Sequence, residues 1–519
     1  MKKRIIKGSL IGLVALTSLL SCQGNDTPSE KPEEIIPIDQ IDKDNIAFTE
    51  DDIINDKFGG IGVEWGAYED TDKLIDGGWE KIIDHMDHFG AARIRLMINY
   101  DWFCQNFDDK GNNDHSDDTW TYNFTNKYAL NMLEILDYSQ KNGIDVAFGA
   151  WNVIGQLNND VWGMMEEVTS DIRWAKITAD VLNFLVNEKG YSCIKWFVNS
   201  NEPNLTGAKG SSKNYNNTYE IWEQGVKNVR KALDDIGLTK IGIIGGDTTG
   251  YRGCDEYFSN IANRIPGYVA DYGAHFYLSN IEVDRGIALN NLRELAKNVK
   301  KIDPEFGKGR PFEVWESGFI DGKTALDSQT AIATTSYAIR MADFTIQCLA
   351  SGMDGICYWD FDDAMHFMYT ASATYPKEWG MFSSLAEASA DKQELRPWYH
   401  SSSLLTHLFK KGNKIYSPIQ NNTELDNSFR SIATISQDGK KGGFAAVNAS
   451  LKTVTKTFYL DDEVSGDKLY IYNFNNDSYL LGSDGYIVPN YVIDGSLNKK
   501  LELQFAPNTV IVVSNTELK

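Results

Sequence analysis

The chain has 519 residues, more than one small hydrophobic core requires, so two domains are expected. Hydrophobic residues make up 42% of the sequence and charged residues 24%, a composition that is typical of globular proteins and excludes a disordered chain. The 50 Lys and Arg residues against 73 Asp and Glu residues give a net charge of −23, which would repel nucleic acid and anionic membrane surfaces and excludes them as partners.

The first 22 residues have the pattern of a bacterial export signal. Four basic residues among the first seven precede an apolar run, residues 8–21, which has the length of a signal-peptide core but is too short to span a membrane. The run ends in Leu-Leu-Ser-Cys, an order that resembles the lipobox of bacterial lipoproteins, whose cysteine is lipidated and becomes the mature N-terminus. We therefore expect lipidation at Cys22 and a location at the outer membrane or cell surface, with an ordinary secretory signal as the alternative.

Residues 23–55 are rich in Pro, Glu and Asp and poor in aromatic residues, a composition that predicts a solvated tether. No later stretch contains the ~18 consecutive apolar residues of a membrane span, so the lipid anchor is the only membrane contact that we expect. The tether would hold the folded part of the protein away from the membrane.

Short apolar runs alternate with amphipathic stretches from residue 56 to residue 410, the pattern of repeated βα units around a parallel sheet. The eight predicted strands span residues 58–67, 91–98, 145–152, 194–203, 241–249, 271–279, 311–319 and 354–362. Eight units are the number that closes a (β/α)8 barrel, so the predicted fold class is α/β. A doubly wound open sheet, the alternative, would usually carry a Gly-rich phosphate-binding turn after its first strand, and the Gly-Gly-Ile-Gly at residues 59–62 does not match that motif.

The composition changes after residue 410. Residues 411–519 contain short alternating runs such as SFRSIATIS and KLYIYNF, which are separated by Asp, Asn, Gly and Ser. This pattern is typical of antiparallel strands joined by tight turns. We therefore predict a C-terminal antiparallel β-sandwich after the barrel.

Polar residues are dense where the fourth and seventh predicted strands end. The fourth strand ends in Asn-Glu-Pro, with Glu202 at the centre, and the seventh ends in Trp-Glu-Ser, with Glu316 at the centre. Catalytic groups of such barrels lie at the C-terminal ends of the strands. Cleavage of a glycosidic bond requires two carboxyl groups on opposite sides of that bond, and two facing strands would supply them.

The Asn-Glu-Pro motif at residues 201–203 and the glutamate that ends the seventh strand resemble those of clan A glycoside hydrolases, the cellulase-like barrels. The resemblance covers the barrel, residues 58–410. It implies that Glu202 is the acid/base and Glu316 the nucleophile of a reaction that retains the anomeric configuration. A pair of salt-bridged structural glutamates is the alternative.

Further residues match the clan in the expected strand order. Arg95 on the second strand matches the arginine that pairs with the nucleophile and keeps it ionised. Tyr277 on the sixth strand matches the tyrosine that hydrogen-bonds the nucleophile, and His275 lies on the same face of that strand. Asn201 matches the residue that holds the 2-hydroxyl of the sugar, and Trp359 on the eighth strand matches the aromatic platform beneath the ring. Taken singly, each is more often a packing residue, and together they indicate a site.

Several tryptophans lie at or just after predicted strand ends, where they suit the walls of a sugar-binding cleft. About half of this set is expected to touch sugar. Of these tryptophans, Trp65 and Trp151 are predicted to contact substrate, and so is Asn152, which follows Trp151 in the sequence. The tryptophans of the set are Trp65, Trp102, Trp120, Trp151, Trp162 and Trp379.

Other carboxylates compete with the predicted pair. Glu313 lies three residues before Glu316, so strand alternation predicts that it faces the helices and has a structural role. The remaining acidic residues near strand ends could line sugar subsites. They are Glu64, Asp247, Asp360, Asp362 and Asp363.

No metal ion or cofactor is expected. The seven histidines are scattered, and the only close pair, His85 and His88, lacks the third and fourth ligands of a zinc site. The acidic stretch at residues 108–118 lacks the Asp-x-Asp-x-Asp-Gly order of a calcium loop, so a solvated loop is the expectation.

We therefore predict a retaining β-glycoside hydrolase that cleaves β-linked glycans or oligosaccharides, with carbohydrate as its substrate and no nucleic-acid partner. Two alternatives stay open. A transglycosylase would use the same residues with a second sugar as acceptor, and a surface glycan-binding lipoprotein would use the barrel without turnover. Loss of one of the paired glutamates would mark the binding protein, and both glutamates are present.

Overall fold

The computed structural model describes most of the chain from residue 44 onwards. It covers residues 44–66, 77–108, 115–152, 169–205, 218–363, 367–369, 374–376, 378–383, 394–418, 428–461, 464, 466–476 and 478–519. The predicted signal peptide, Cys22 and Trp162 lie outside these residues. Within the covered ranges, no helix is both long enough and apolar enough to cross a membrane.

A closed ring of parallel strands forms the barrel. Each strand pairs in parallel with the next, and the eighth pairs with the first. The first to eighth barrel strands are, in chain order, Ile61–Glu64, Arg93–Asn99, Asp145–Asn152, Ile194–Val198, Gly242–Ile243 with Gly246–Thr249, Tyr272–Leu278, Phe312–Phe319 and Gly355–Tyr358. The prediction of an α/β barrel from the alternating apolar runs is confirmed.

The fifth barrel strand is broken into two short pieces. The first piece pairs with the fourth strand and the second with the sixth, so the ring closes through the break. A Cβ atom on Gly245, at the break, would meet the carbonyl oxygen of Asp271 at 2.2 Å. The next residue, Gly246, has a φ of 99°, which a residue with a Cβ atom rarely adopts. The two glycines therefore permit a kink that places Asp247 beside the second and sixth strands.

Helices follow the barrel strands and bury one face against them. Their bounds are Gly78–Phe89, Lys127–Asn142, Ile172–Leu182, Thr218–Asp235, Tyr251–Arg264, Asn280–Asp284, Ile287–Ile302, Thr335–Ala350 and Pro397–Leu408. The helix Lys127–Asn142 begins after Asn126, because the side chain of Asn126 accepts hydrogen bonds from the amides of Tyr128 and Ala129. Gly143 follows its last turn, the residue type that the sequence predicts after a helix.

A buried ion pair lies inside the ring near the start of the strands. Arg93 donates to Glu313 at 2.7 Å, and its guanidinium lies 5.2 and 5.0 Å from the rings of Trp196 and Trp315. Both rings belong to the apolar cluster that fills the ring, so Glu313 faces the interior and its predicted direction toward the helices is wrong. The register between the sixth and seventh strands shifts by one residue at Trp315, which turns both Glu313 and Glu316 inward.

Two mainly antiparallel sheets form the predicted β-sandwich. The larger has the strand order Ile53–Asn55, Lys414–Tyr416, Phe429–Ile435, Gly442–Asn448, Thr509–Ser514, Lys468–Phe474 and Tyr491–Asp494. The smaller has the order Asn45–Phe48, Val454–Leu460 and Leu501–Phe505. Aromatic side chains fill the space between the sheets, where Phe444 stacks on Phe458 at 4.3 Å. Three short hairpins are also present in the described residues. Their paired strands are Cys104–Asp108 with Thr119–Tyr122, Phe367–Tyr369 with Thr374–Pro376, and Leu480–Leu481 with Ile487–Val488.

The predicted tether is shorter than residues 23–55. The strand Asn45–Phe48 pairs in parallel with Val454–Leu460, and Ile53–Asn55 pairs with Lys414–Tyr416, so both segments belong to the sandwich. Phe48 is fully buried between the two sheets. The prediction that residues 45–55 are tether is therefore wrong, because an apolar pattern of only four residues does not stand out within an acidic run.

The sandwich packs against the last two barrel helices, Thr335–Ala350 and Pro397–Leu408. Arg430 of the sandwich forms a buried, two-point ion pair with Asp343 of the first of these helices. One continuous hydrophobic cluster includes side chains from the barrel and from the larger sheet. The two domains therefore share a core.

Four of the seven histidines lie together where the barrel meets the sandwich: His85, His88, His400 and His407. The ring of His88 stacks on Tyr486 of the sandwich at 3.6 Å, and Nε2 of His407 lies 2.6 Å from the carbonyl oxygen of His88. His85 and His88, the pair weighed as metal ligands, each place Nδ1 beside a tyrosine hydroxyl, at 3.2 and 3.1 Å. These histidines serve as packing residues of the domain junction.

Acid should weaken this junction. Burial lowers the pKa of each of the four histidines to about 4, whereas a histidine in an unfolded chain titrates near ~6.5. Between these two values the unfolded chain binds protons that the native protein does not. The free energy of unfolding should therefore fall as pH falls from ~6.5 toward 4, by about 2 kcal/mol for each fully buried histidine near pH 5.

Thermal melting at neutral and acidic pH measures this loss. His400→Gln should reduce the dependence of the melting temperature on pH, because it removes one of the four buried imidazoles. His115→Gln is the matched control, since His115 lies outside the junction and its side chain is 33% exposed. Identical pH dependence in the two variants would contradict the assignment of acid sensitivity to the junction.

Candidate active site

Glu202 and Glu316 meet toward the C-terminal end of the barrel. Glu202 follows the fourth strand, and Glu316 lies within the seventh. One oxygen of each carboxyl group and one ring nitrogen of His275 all lie within 4.8 Å of one another. The side chain of Glu202 is 18% exposed and that of Glu316 is 5% exposed. The structure therefore brings the two predicted carboxyl groups together, one open to solvent and one buried.

Arg95, on the second strand, is fully buried and donates four hydrogen bonds. Its Nη1 contacts Glu316 at 2.7 Å and Glu64 at 2.9 Å. Its Nη2 contacts the side-chain oxygen of Asn201 at 2.6 Å and Asp247 at 2.8 Å. Burial alone would lower the pKa of Arg95, but the surrounding carboxylates, Asp247 first among them, raise that pKa well above its ordinary value. The guanidinium is therefore a fixed positive charge beside Glu316.

Two residues of the sixth strand contact the glutamates. The hydroxyl of Tyr277 donates to Oε2 of Glu316 at 2.7 Å. Nδ1 of His275 lies 3.1 Å from Oε1 of Glu202 and 3.5 Å from Oε2 of Glu316, and its Nε2 lies 2.9 Å from Asp247. Burial lowers the pKa of His275, but the negative charges of Asp247 and Glu316 outweigh burial and raise that pKa to about 10. His275 is therefore an imidazolium at neutral pH, with an N–H group on each side of the ring.

The buried carboxylates of the site have different charge states. Burial raises the pKa of Glu316, while the positive charges of His275 and Arg95 act against that rise. Burial also raises the pKa of Glu64, to about 8, so this group carries a proton at neutral pH. The pKa of Asp247 falls below its ordinary value, because Arg95 and His275 outweigh the effect of its burial. Arg95 and His275 thus oppose the effect of burial on the carboxyl groups that surround them.

Trp359 and Trp151 stand at a right angle to each other, and Trp151 lies beside Arg95. Their ring centroids lie 5.7 Å apart with an interplanar angle of 90°. The guanidinium of Arg95 lies 5.4 Å from the ring of Trp151. Trp379 places its ring edge against Tyr277 at 5.7 Å. Trp151 and Trp379 therefore contact residues that bind Glu316, and Trp359 contacts Trp151. Trp151 is partly exposed, whereas Trp359 is buried, with 8% of its surface exposed.

Trp65 lies in the core and not in the site. Its ring is fully buried and stacks on Trp79 at 5.8 Å, with the ring of Tyr138 edge-on at 5.6 Å. A side chain without exposed surface has no access to substrate, so the prediction of Trp65 as a substrate contact is wrong. The physical reason is strand alternation, because the preceding residue, Glu64, faces inward toward Arg95.

Trp102, Trp120 and Asn152 are the remaining residues that were predicted near the cleft. Trp102 stacks on Tyr128 of the following helix at 5.2 Å, and Trp120 stacks on Phe107 of its partner strand in the hairpin at 6.1 Å. Asn152 ends the third strand, but its side chain lies outside the part of the chain that the structure describes.

The carboxylates predicted as subsite residues are buried. Glu64 and Asp247 bind Arg95, and Asp363 binds the guanidinium of Arg396 at 2.9 Å through Oδ1. Asp360 and Asp362 are each 1% exposed. Glu64, Asp247 and Asp363 therefore serve as partners of arginine side chains, and all five groups are at most 1% exposed. The sequence showed only that they end strands, and a carboxylate at a strand end is equally compatible with a subsite and with a partner for a buried arginine.

Glu202, His275 and Glu316 have the atom types of a metal site. The guanidinium of Arg95 argues for another use, because it already binds Glu316 at 2.7 Å and would repel a metal ion there. The arrangement therefore suits proton transfer better than metal binding.

The acidic stretch at residues 108–118 contains a buried ion pair. Asp118 is 1% exposed and lies 3.4 Å from Nη1 of Arg173 and 3.1 Å from Nδ1 of His115. Asp118 is therefore a structural partner of Arg173, whereas residues 109–114 lie outside the described ranges.

No family model matches the chain, and the search of curated proteins found no match either. Solved structures with the same fold were found. The catalytic domain of GH30 xylanase C from Talaromyces cellulolyticus has a TM-score of 0.62 and 11% sequence identity, over 91% of this chain and 100% of that chain. The family 51 alpha-L-arabinofuranosidase AbfB from Bifidobacterium longum has a TM-score of 0.59 and 12% identity, over 91% and 99% of the two chains.

The endo-beta1,6-glucanase BT3312 has a TM-score of 0.56 and 14% identity, over 92% of this chain and 94% of that chain. At these identities the likeness shows a shared fold, a barrel with a C-terminal β domain. The resemblance to clan A glycoside hydrolases that the strand-end motifs indicated is confirmed at the level of the fold.

Proposed function

We propose that the protein is a retaining β-glycoside hydrolase with Glu202 as the acid/base and Glu316 as the nucleophile. The observation that carries the proposal is the pair of carboxyl groups with one oxygen of each within 4.8 Å, the first partly exposed and the second buried beside Arg95. Double displacement requires one carboxyl group that exchanges protons with the leaving group and with water, and one that attacks the sugar. The two environments match these two roles.

Glu316 is held in place for attack at both of its oxygens. Arg95 donates to Oε1 and Tyr277 donates to Oε2, each at 2.7 Å, and His275 adds a second positive charge. These contacts favour the carboxylate against the effect of burial. The carboxylate attacks the anomeric carbon while Glu202 gives its proton to the departing glycosidic oxygen.

The second displacement reverses these roles. Glu202, now ionised, takes a proton from a water molecule, and the water oxygen attacks the anomeric carbon of the glycosyl-enzyme. The ester bond to Glu316 breaks, the sugar leaves with its original anomeric configuration, and Glu202 has its proton again. The partial exposure of Glu202 supports this role, because water must reach it.

The spacing of the carboxyl groups favours direct attack. In retaining enzymes the two groups are ~5 to 5.5 Å apart, whereas inverting enzymes leave ~6.5 to 9.5 Å for a water molecule. One oxygen of Glu202 and one of Glu316 lie within 4.8 Å of each other, which supports the shorter, retaining separation.

The sugar at the cleavage point would lie against Trp359 and Trp151. Aromatic faces pack well against the C–H faces of a sugar ring, and the ring of Trp151, which contacts that of Trp359, adjoins Arg95. The side-chain oxygen of Asn201 is bonded to Arg95, which leaves the amide nitrogen to donate to a sugar hydroxyl.

Turnover of aryl glycosides tests the proposal. The fold neighbours are by name a xylanase, a β1,6-glucanase and an arabinofuranosidase, so the panel should contain nitrophenyl β-D-xyloside, β-D-glucoside and α-L-arabinofuranoside. Wild-type protein should release nitrophenol from a β-glycoside, and Glu316→Gln purified in parallel should not. A transglycosylase would release nitrophenol without an equal amount of free sugar. Binding of glycans without turnover of any β-glycoside would contradict the proposal.

We also propose that the protein is exported and lipidated at Cys22. The basic start, the short apolar run and the Leu-Leu-Ser-Cys order support this proposal. Cys22→Ala should yield a soluble or unprocessed form, whereas the control Cys104→Ala should stay anchored. Mass spectrometry of the mature N-terminus measures the acyl groups, and wild-type protein without them would refute the anchor.

A further inference from the structure

Asp247 is a buried carboxylate that takes no direct part in the proposed reaction. It follows the two glycines at the break in the fifth strand, has a left-handed φ of 51°, and is 1% exposed. Both of its carboxylate oxygens are already bound, one by His275 and the other by Arg95. Any role of Asp247 in the reaction must therefore act through its neighbours.

Three contacts connect Asp247 to the groups that hold the two glutamates. Its carbonyl oxygen accepts a hydrogen bond from the amide of Glu202 at 3.0 Å. Its Oδ1 lies 2.9 Å from Nε2 of His275, and its Oδ2 accepts from Nη2 of Arg95 at 2.8 Å. One residue is thereby bonded to the acid/base, to the histidine between the two carboxyl groups, and to the arginine beside Glu316.

The backbone contact supports an unfavourable conformation. Glu202 has a φ of 45°, in the left-handed region that residues with a Cβ atom disfavour. The hydrogen bond from its amide to Asp247 helps to hold that conformation, which directs the carboxyl group toward His275. The position of the acid/base therefore depends on the fifth strand as well as the fourth.

His275 is fully buried among acidic groups, and its charge depends on them. Its Nε2–H faces Asp247, and its Nδ1–H faces both Glu202 and Glu316. A neutral imidazole has only one N–H group and could not donate on both sides. The charged or titratable groups around it are Asp247 of the fifth strand, Glu202 after the fourth, Glu316 of the seventh, Glu64 of the first, and Arg95 of the second, which contacts the same carboxylates.

We propose that Asp247 is a positioning residue that keeps His275 a two-sided cationic donor between Glu202 and Glu316. The proposal rests on the proposed function of these two glutamates. Of the three carboxylates that face His275, Asp247 is the one whose charge does not change in the reaction. Glu202 alternates between acid and base, and Glu316 loses its charge when it forms the ester. Asp247 therefore maintains the imidazolium through both displacements.

Asp247→Asn tests the proposal because it conserves volume and removes the charge. Without that charge, the pKa of His275 should fall toward the ~6.5 of a free imidazole, so the ring loses a proton as pH rises. At about pH 8, ~1.5 pH units above that pKa, the variant should lose ~30-fold in kcat with little change in KM, and at about pH 5, where solvent protonates the ring, the loss should be under ~10-fold. The alkaline limb of the pH profile should therefore move to lower pH.

Asp303→Asn is the matched control. Asp303 is a buried aspartate that accepts from Tyr272 and Arg310 outside the site, so its variant should keep the wild-type pH profile. A loss in Asp247→Asn that is equal at both pH values, or no loss at all, would overturn the proposal, because a purely structural role lowers activity without moving its pH dependence.

The protonation state of His275 can also be measured without an activity assay. Nitrogen-15 NMR of histidine-labelled protein, with His275→Gln to identify the resonance, should show protons on both ring nitrogens in the wild type at about pH 8 and on one in Asp247→Asn. A neutral His275 in the wild type at that pH would overturn the proposal even if Asp247→Asn failed to fold. Failure of the proposed function would appear separately, as absence of wild-type turnover.

Discussion

Glu316→Gln is expected to lower kcat at least ~1,000-fold, a loss of ~4 kcal/mol in transition-state stabilisation. The amide conserves the volume of the side chain but cannot attack the anomeric carbon. The fold should persist, because Arg95 keeps Asp247 and Glu64 as partners and the amide oxygen can still accept from Tyr277. The melting temperature should stay within about 4 °C of wild type. Steady-state kinetics and thermal melting measure the two effects.

Glu313→Gln is the matched control on the same strand. Glu313 is also buried and paired with an arginine, Arg93, but it lies near the other end of the barrel. Removing one partner of a buried ion pair costs ~3 to 5 kcal/mol, so this variant should melt at a lower temperature while the folded fraction keeps its turnover. If Glu316→Gln retained activity within ~10-fold of wild type, a difference of only ~1.4 kcal/mol, the nucleophile would be another residue.

Glu202→Ala is expected to harm natural substrates far more than activated aryl glycosides. Glycans need a proton on the leaving oxygen, so their turnover should fall by ~100-fold to 10,000-fold, the range typical of general acid catalysis. Dinitrophenyl glycosides leave without a proton, so the first displacement should proceed at close to the wild-type rate. Burst kinetics would then show rapid release of dinitrophenol followed by slow hydrolysis of the glycosyl-enzyme.

Azide should restore the second step in this variant. Removal of the side chain at position 202 opens space in a position that is partly exposed to solvent, so a small anion can enter and attack the sugar without a general base. The expected product is a β-glycosyl azide, which mass spectrometry and NMR identify. Equal losses on both substrate types without an azide product would remove Glu202 from the acid/base role.

The sequence predicted the architecture well because two patterns were strong. They are the alternation of apolar runs with amphipathic stretches in the barrel and the short alternating runs in the sandwich. The alternation of apolar runs and amphipathic stretches predicted eight parallel strands, and the structure has eight. Strand-end position also brought Glu202, Glu316, Arg95, His275 and Tyr277 into one set, and the structure places them within hydrogen-bond reach of one another. Residues at the C-terminal ends of neighbouring strands share one face of the barrel, so their strand numbers were sufficient to group them.

The sequence pattern did not predict two local irregularities of the barrel strands, a register shift and a kink. Alternation predicted that Glu313 faces the helices, but the one-residue register shift at Trp315 turns it inward. The kink at Gly245 turns Asp247 toward Arg95 and His275, whereas the sequence placed it only near a strand end. Register shifts depend on the pairing of distant strands and leave little trace in the strand that contains them.

Short segments and single aromatic residues gave the other errors. Trp65 ends its strand like Trp151, but the neighbouring Glu64 occupies the inward face, so Trp65 packs outward. The strand Asn45–Phe48 joins the sandwich through contacts with residues about four hundred positions later in the chain. Composition, which indicates local solvation, does not reveal such distant pairing.

The anomer of the first product tests the central claim most directly. Two displacements at the anomeric carbon restore its configuration, so proton NMR of an early reaction mixture should show the β-anomer before mutarotation mixes the two forms. This result requires direct attack by Glu316, and one oxygen of each carboxyl group within 4.8 Å of the other fits the short separation that direct attack needs. An initial α-anomer from a β-glycoside would contradict the double displacement and the nucleophile role of Glu316 together.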